Sequence, residues 1–260
     1  MTGRLDGQVA IVTGGTRGLG RELAVALARA GADIGILGRD AQTGAQTAHA
    51  VAAEGRQAHV ITADVTDEPG MSAAGIDAVA QFGKIDILVC TAGVGAPRRP
   101  VWESTTADFR NCFDVNVLGT MLALKAFLPG MIARRSGRVV VIGGTYGHKG
   151  VADHALYAAS KWAVRGLVKS TALEVGPHGI TVNTIAPGGV DGERLRKLFR
   201  QSAEARGERE EDVLGRFTAG TALGRLVNGG DIAAATLMLV GEAGRNITGQ
   251  DIVVDAGTII

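Results

Sequence analysis

Seven short apolar runs punctuate the chain: Val9 to Thr13, Ile34 to Leu37, His59 to Thr62, Ile85 to Cys90, Arg138 to Ile142, Ile180 to Ile185 and Ile252 to Val254. Each is too short for a helix, rich in Val and Ile and mostly apolar, the pattern of a strand buried on both faces. Between them lie Ala- and Leu-rich stretches, among them 19–30, 41–53, 116–134, 156–175 and 231–240. In the third of these, Val117, Met121, Leu124 and Leu128 recur at spacings of three and four, a helical stripe, and Pro129 is expected to bend or end the helix. Strand alternating with helix predicts an α/β domain built on a doubly wound, seven-stranded parallel sheet with helices on both faces. The rhythm breaks once, at 191–220, where a charge-rich stretch predicts a helical lid rather than a second domain. No linker or internal repeat interrupts the 260 residues, a length that suits one domain.

Composition adds three constraints. Glycine, at 39 of 260 residues, is roughly twice its usual share of about 7%, so the backbone must turn sharply or approach something closely in many places. With 27 Lys and Arg against 26 Asp and Glu the formal charge is +1, which argues against nucleic acid or an anionic membrane as partner. The two cysteines, Cys90 and Cys112, lack CxxC spacing and suit a reducing compartment; no zinc cluster is visible. No stretch approaches the roughly 18 apolar residues of a membrane span, so a soluble cytoplasmic protein is expected.

After the first strand the chain reads Thr13-Gly14-Gly15-Thr16-Arg17-Gly18-Leu19-Gly20. Glycines where a strand turns into a helix aim backbone N–H groups and the positive helix end at a phosphate, a dinucleotide-binding pattern in this context. At the end of the second strand an NAD site usually carries a carboxylate for the ribose 2′-hydroxyl. Here Gly38 stands in that place and Arg39 follows, offering a guanidinium for a 2′-phosphate; Arg17 is a second candidate cation. The alternative is that both arginines are surface charges and Asp40 takes the ribose. The expected cofactor is NADP(H).

Tyr157 and Lys161 are four residues apart in a predicted helix, hence on one face. A free tyrosine titrates at about 10 and is a poor acid or base near neutrality, and a neighbouring ammonium favours the phenolate. With the glycine turn, Asp64-Val65, Thr91-Ala92-Gly93, Asp114-Val115-Asn116-Val117, the YAASK of 157–161, Ala186-Pro187-Gly188 and Asn246 to Gln250, the chain resembles the short-chain dehydrogenase/reductase family over essentially its whole length. That resemblance implies a Rossmann-type domain and an oxidoreductase that moves hydride between nicotinamide and a carbonyl or alcohol. Tyr157 is then the proton donor or base, Lys161 holds the nicotinamide ribose, and Asn116 serves a proton relay. It also implies cofactor contacts from Gly14, Thr16, Arg17, Gly18, Leu19 and Gly20, from Arg39, Asp64 and Val65, from Ala92 and Gly93, and from Pro187, Gly188 and Val190. A homotetramer paired through the helices from Asn116 and Leu156 is implied as well.

Three positions depart from the family pattern. The serine usually found thirteen residues before the tyrosine is Gly144, and loss of one donor to a developing oxyanion typically costs about 3 kcal/mol. Thr145 is the expected stand-in, with Tyr146, His148 and His154 behind it. Cys90-Thr91 replaces two asparagines, with Cys90 expected to pack rather than react, and Gly192 replaces a threonine that contacts the carboxamide. Substrate identity is open, as are two other readings: a dinucleotide-binding sensor with weak chemistry, and a reductase of C=N or activated C=C bonds. The arginines at 98, 99, 194, 196 and 200 suggest a cationic mouth, but the acids at 204–212 favour a solvated amphipathic lid whose Leu195, Leu198, Phe199, Val213, Leu214 and Phe217 cover the substrate.

Overall fold

A computed structural model describes residues 5–260. Its seven strands are β1 (Val9–Thr13), β2 (Asp33–Gly38), β3 (Ala58–Thr62), β4 (Ile87–Cys90), β5 (Gly137–Ile142), β6 (Ile180–Pro187) and β7 (Asp251–Val254), in the order β3-β2-β1-β4-β5-β6-β7, every pairing parallel. The helices are α1 (Gly18–Arg29), α2 (Ala41–Ala53), α3 (Glu68–Phe82), α4 (Thr106–Phe113), α5 (Gly119–Arg134), α6 (Ala155–Val175), α7 (Glu193–Arg206), α8 (Glu210–Ala219) and α9 (Gly229–Val240).

Alternation along each strand divides the interior into two cores. Val9 and Ile11 of β1 pack with Leu88, Val139 and Val141 beneath α3, α5 and α6, whereas Ala10 and Val12 pack with Ile34, Ile36, Val89 and Val140 beneath α1, α2 and α9. Both faces of the central strands are therefore dry, which is why those strands read as largely apolar runs. The chain crosses the sheet in opposite directions from β1, so the carboxyl ends of β1 and β4 flank a switch point where α/β sheets bind their ligands.

Three elements differ from the expectation. The helix expected from Asn116 begins ten residues earlier, at a capping box in which the Thr105 side chain accepts from Asp108 N–H and Asp108 accepts from Thr105 N–H. It runs through a π-helical turn, Asp114–Leu118, and continues past Pro129 to Arg134, because Phe127, Leu128 and Met131 are buried on either side of the proline. That run of 29 residues is long and apolar enough by length and composition to cross a bilayer, but here Leu122, Leu124 and Phe127 are core. β4 starts at Ile87, not Ile85; just before it the Asp86 N–H donates to the Val9 carbonyl and the Asp86 carboxylate accepts the Val9 N–H. Helix α3, rich in Ala and Gly, was not marked by the apolar stripe.

Candidate active site

The glycine turn closes against the end of β4. A Cβ on Gly14 would stand 2.8 Å from the Ala92 nitrogen, so the two chain segments touch backbone to backbone, and φ of 69° at Gly14 is one that glycine tolerates. Thr91 Oγ1 donates to the Thr13 carbonyl at 2.6 Å, joining β4 to β1 where the family carries asparagine. No side chain caps α1 and no acid occupies its first turn, leaving the N–H groups after Arg17 for an anion. Thr16 is buried, Arg17 and Gly18 are exposed at the lip, and Leu19 and Gly20 enter the helix. This cradle fits a dinucleotide phosphate.

At the end of β2 a Cβ on Gly38 would lie 2.6 Å from Thr16 Cγ2, so a side chain there would require Thr16 to shift. Asp40 is spent locally: its Oδ1 accepts Gln42 N–H at 2.9 Å and Thr43 N–H at 3.1 Å as the cap of α2. Arg39 is mostly exposed and stands 3.5 Å from the Asp64 carboxylate. Asp64 also accepts the Thr66 N–H and hydroxyl; these bonds, backbone first, hold its carboxyl below the usual range. Val65 beside it is buried. Pro187 ends β6 buried, and Gly188 approaches Asp255 so closely that a Cβ would lie 2.7 Å away. Val190 is bridged to Val227, while Gly192 is open to solvent.

Opposite the cradle, α6 presents Tyr157 and Lys161. Lys161 is 6% exposed; its Nζ donates to the Ile142 carbonyl at 3.2 Å and stands 5.6 Å from the Tyr157 ring centroid. Asn116 sits in the π-helical turn, a local widening that often marks functional sites. Its Oδ1 accepts Val94 N–H at 2.8 Å, while its Nδ2 donates to the Val94 carbonyl and to Ser160 Oγ, both at 3.0 Å. Ser160 Oγ in turn donates to the Tyr157 carbonyl at 2.8 Å, so one chain of hydrogen bonds ties the loop after β4 to the first turn of α6. Asn116 Oδ1 and Lys161 Nζ both approach Gly93, lying 3.3 and 3.9 Å from where its Cβ would be.

A Cβ on Gly144 would meet only Lys161 Cε, at 4.0 Å, so the serine's place is open space beside the Tyr-Lys pair. Thr145 is buried at the start of a 3-10 turn, Thr145–Gly147. The side chains in ring contact with Tyr157 are Tyr146 (5.9 Å) and His154 (5.0 Å), which also face each other at 5.4 Å. His154 is buried, its Nδ1 has no hydrogen-bond partner, and burial followed by the charges of Arg98 and Arg194 pushes its pKa down to about 4. His148 lies elsewhere: burial first, then Arg165, lowers its pKa. The Cys90 thiol is pushed up to about 12 by burial and is inert packing. In the charge-rich segment α7 and α8 build a small core of their own from Phe199, Ala203 and Val213 with Leu195, Leu214 and Phe217, while Leu198 is exposed. Sequence reasoning ranked Tyr146 and His154 behind Thr145 because their contact with Tyr157 depends on how the loop from 143 to 154 folds back. The orphaned His154 Nδ1 carries no signal in the sequence.

Comparisons with known proteins identify the family. The pattern of the short chain dehydrogenase family matches residues 8–203. Secoisolariciresinol dehydrogenase of Forsythia intermedia is 32% identical over 98% of this chain and 90% of its own length. (-)-trans-Carveol dehydrogenase of Rhodococcus erythropolis is 34% identical over 99% of both. The crystal structure of an NAD+-bound xylitol dehydrogenase superposes with a TM-score of 0.93 at 28% identity, covering 97% of this chain and 99% of that one. The chain belongs to the short-chain dehydrogenase/reductase family and is a Rossmann-type oxidoreductase of alcohols and carbonyls that uses a nicotinamide cofactor.

Proposed function

We propose that the protein is an NADP(H)-dependent reductase or dehydrogenase of a small carbonyl/alcohol pair, with Tyr157 as its acid/base. The observation that carries this is the buried Lys161 beside Tyr157, tied through Ser160 and Asn116 to the loop after β4 that faces the glycine cradle. Gly14, Thr16, Arg17, Gly18, Leu19 and Gly20 would hold the diphosphate, Asp64 and Val65 the adenine, Ala92 and Gly93 the adjoining ribose, and Pro187, Gly188 and Val190 the nicotinamide end. Bound there, the dinucleotide supplies or accepts the hydride. Tyr157 gives its phenolic proton to the substrate oxygen, or removes one from an alcohol. Lys161 faces the phenolate that results and reaches the cofactor ribose, and Asn116 fixes the geometry of the relay behind them. With position 144 bare, Thr145 and the neutral His154 are the two groups offered to the substrate oxygen.

The preference for NADP(H) rests on Arg39, since Gly38 supplies no carboxylate and Asp40 is engaged at the cap of α2. The xylitol dehydrogenase, by contrast, is NAD+-bound. Apolar side chains left exposed on the helical faces, Phe109 and Met121 on one and Trp162 and Leu173 on the other, support assembly as a homotetramer. Two free thiols, Cys90 and Cys112, suit the cytoplasm. The lid reading of 191–220 gains support from Phe217, which packs on Gly189 at the exit of β6.

The test is cofactor oxidation by the purified protein with NADPH and with NADH against ketones, keto sugars, oxoacyl thioesters and cyclic imines. Turnover of carbonyl compounds with NADPH supports the proposal. Tight NADPH binding without turnover of any member favours a sensor, and turnover confined to imines favours C=N reduction.

A further inference from the structure

The arginines around the mouth fall into two groups. Arg99 pairs with Asp108 at 3.7 Å, Arg196 grips Asp191 through two bonds of 2.7 and 2.8 Å, and Arg200 holds Glu193 at 2.6 Å. These are the solvated pairs the sequence led us to expect. Arg98 and Arg194 form no ion pair with any carboxylate among the described residues. Instead both turn toward the rings around Tyr157: Arg98 Nη2 donates to Tyr146 Oη at 3.5 Å, and Arg194 Cζ lies 6.0 Å from the Tyr157 ring centroid. They arrive from different parts of the chain, Arg98 from the loop after β4 and Arg194 from the first turn of α7, and both charges bear on His154.

Two guanidiniums converging on one aromatic cluster repel each other, whereas Arg99, Arg196 and Arg200 at the same mouth have each found an acid. The same cluster contains the buried, unpartnered His154 Nδ1, a second polar group lacking its complement. We propose that the missing anion is a carboxylate of the substrate, held by Arg98 and Arg194, so that the enzyme acts on a keto acid and its hydroxy acid. This rests on Tyr157 being the acid/base. In the reducing direction, hydride from the dihydronicotinamide adds to the carbonyl carbon, the Tyr157 proton goes to the carbonyl oxygen, and the carboxylate is unchanged. A guanidinium fork matches carboxylate and phosphate alike. With Arg194 at the Tyr157 ring and Arg98 at the neighbouring Tyr146, a carboxylate a few bonds from the reacting carbon is selected, since the phosphates of a carrier thioester lie many bonds from its carbonyl.

The experiment compares benzoate with benzamide, isosteric probes that fit an aromatic wall, by calorimetry on the protein–NADPH complex. Benzoate is expected to bind at least about tenfold more tightly, the worth of one charge-assisted contact. The R98M/R194M double variant should bring the ratio to within about twofold, with NADPH affinity unmoved, whereas R98K/R194K should keep much of it. Equal affinity of the two probes for the wild type overturns the proposal, as does a ratio that survives R98M/R194M. Binding is read without turnover, so failure of Tyr157 chemistry leaves this ratio intact. Conversely, Tyr157-dependent turnover of neutral ketones with no carboxylate preference removes the anion site alone.

Discussion

Restoring a hydroxyl at position 144 is the sharpest perturbation the site offers. A serine Cβ there would meet nothing nearer than Lys161 Cε at 4.0 Å, so G144S inserts a donor without displacing a neighbour. The backbone at 144 has φ 159° and ψ 156°, and closing φ by about 20° to the ordinary extended region costs on the order of 1 kcal/mol, a small loss of melting temperature. A preorganised donor to a developing oxyanion contributes about 3 kcal/mol, or 10² to 10³ in rate. His154 and Thr145 already face that oxygen in the proposed mechanism, so the expected gain in kcat is smaller, about tenfold or more, with little change in NADPH affinity. The assay is steady-state NADPH oxidation on the best carbonyl substrate, with a melting curve to show that the variant is folded. A folded G144S variant with unchanged or lower kcat would refute the reasoning, because the oxyanion position would then be either filled already or not where residue 144 points.

Two further outcomes follow from the same geometry. Arg39→Ala should weaken NADPH by about tenfold while leaving NADH within about twofold, the modest end of a charged hydrogen bond because Arg39 is mostly exposed; fluorescence titration with both cofactors checks it, and equal losses would remove Arg39 from the 2′-phosphate. His154 ordinarily titrates at 6.5 and here is pushed down to about 4, so the unfolded chain binds its proton first and stability falls as pH drops from about 6.5 toward 4, by at most about 1.4 kcal/mol per pH unit. Denaturant unfolding across that window should show a shallower slope in His154→Gln, and identical slopes would mean the imidazole is solvated.

Much of the architecture was legible because its physics is local. A parallel sheet buried on both faces must be written as runs such as Val9 to Val12 and Val139 to Val141, and glycines that bring Gly14 against Ala92 must stand where a strand turns. Helix α3 escaped because Ala74, Gly75 and Ala78 pack without a strong apolar stripe. The start of α4 was written in the Thr105 to Asp108 capping box, a signal available in the sequence and passed over in favour of the stripe from Val117. The π-helical turn at Asn116 has no local signature. Nor does the ring cluster of Tyr146, His154 and Tyr157, nor the approach of Arg98 to Tyr146 and of Arg194 to Tyr157, which join segments far apart in the chain. The charged segment was read as a solvated lid, and Arg196 and Arg200 follow that reading while Arg194 departs from it.

The central claim is that Tyr157 moves the proton. The most direct measurement is the single-turnover rate of NADPH oxidation by the wild type and by Tyr157→Phe, with saturating carbonyl substrate and with NADPH affinity measured on both proteins. The account predicts a fall of about 10³-fold in the variant at unchanged NADPH affinity, the scale of a lost general acid. A rate within about threefold of the wild type would contradict it and place the proton donor elsewhere in the cluster.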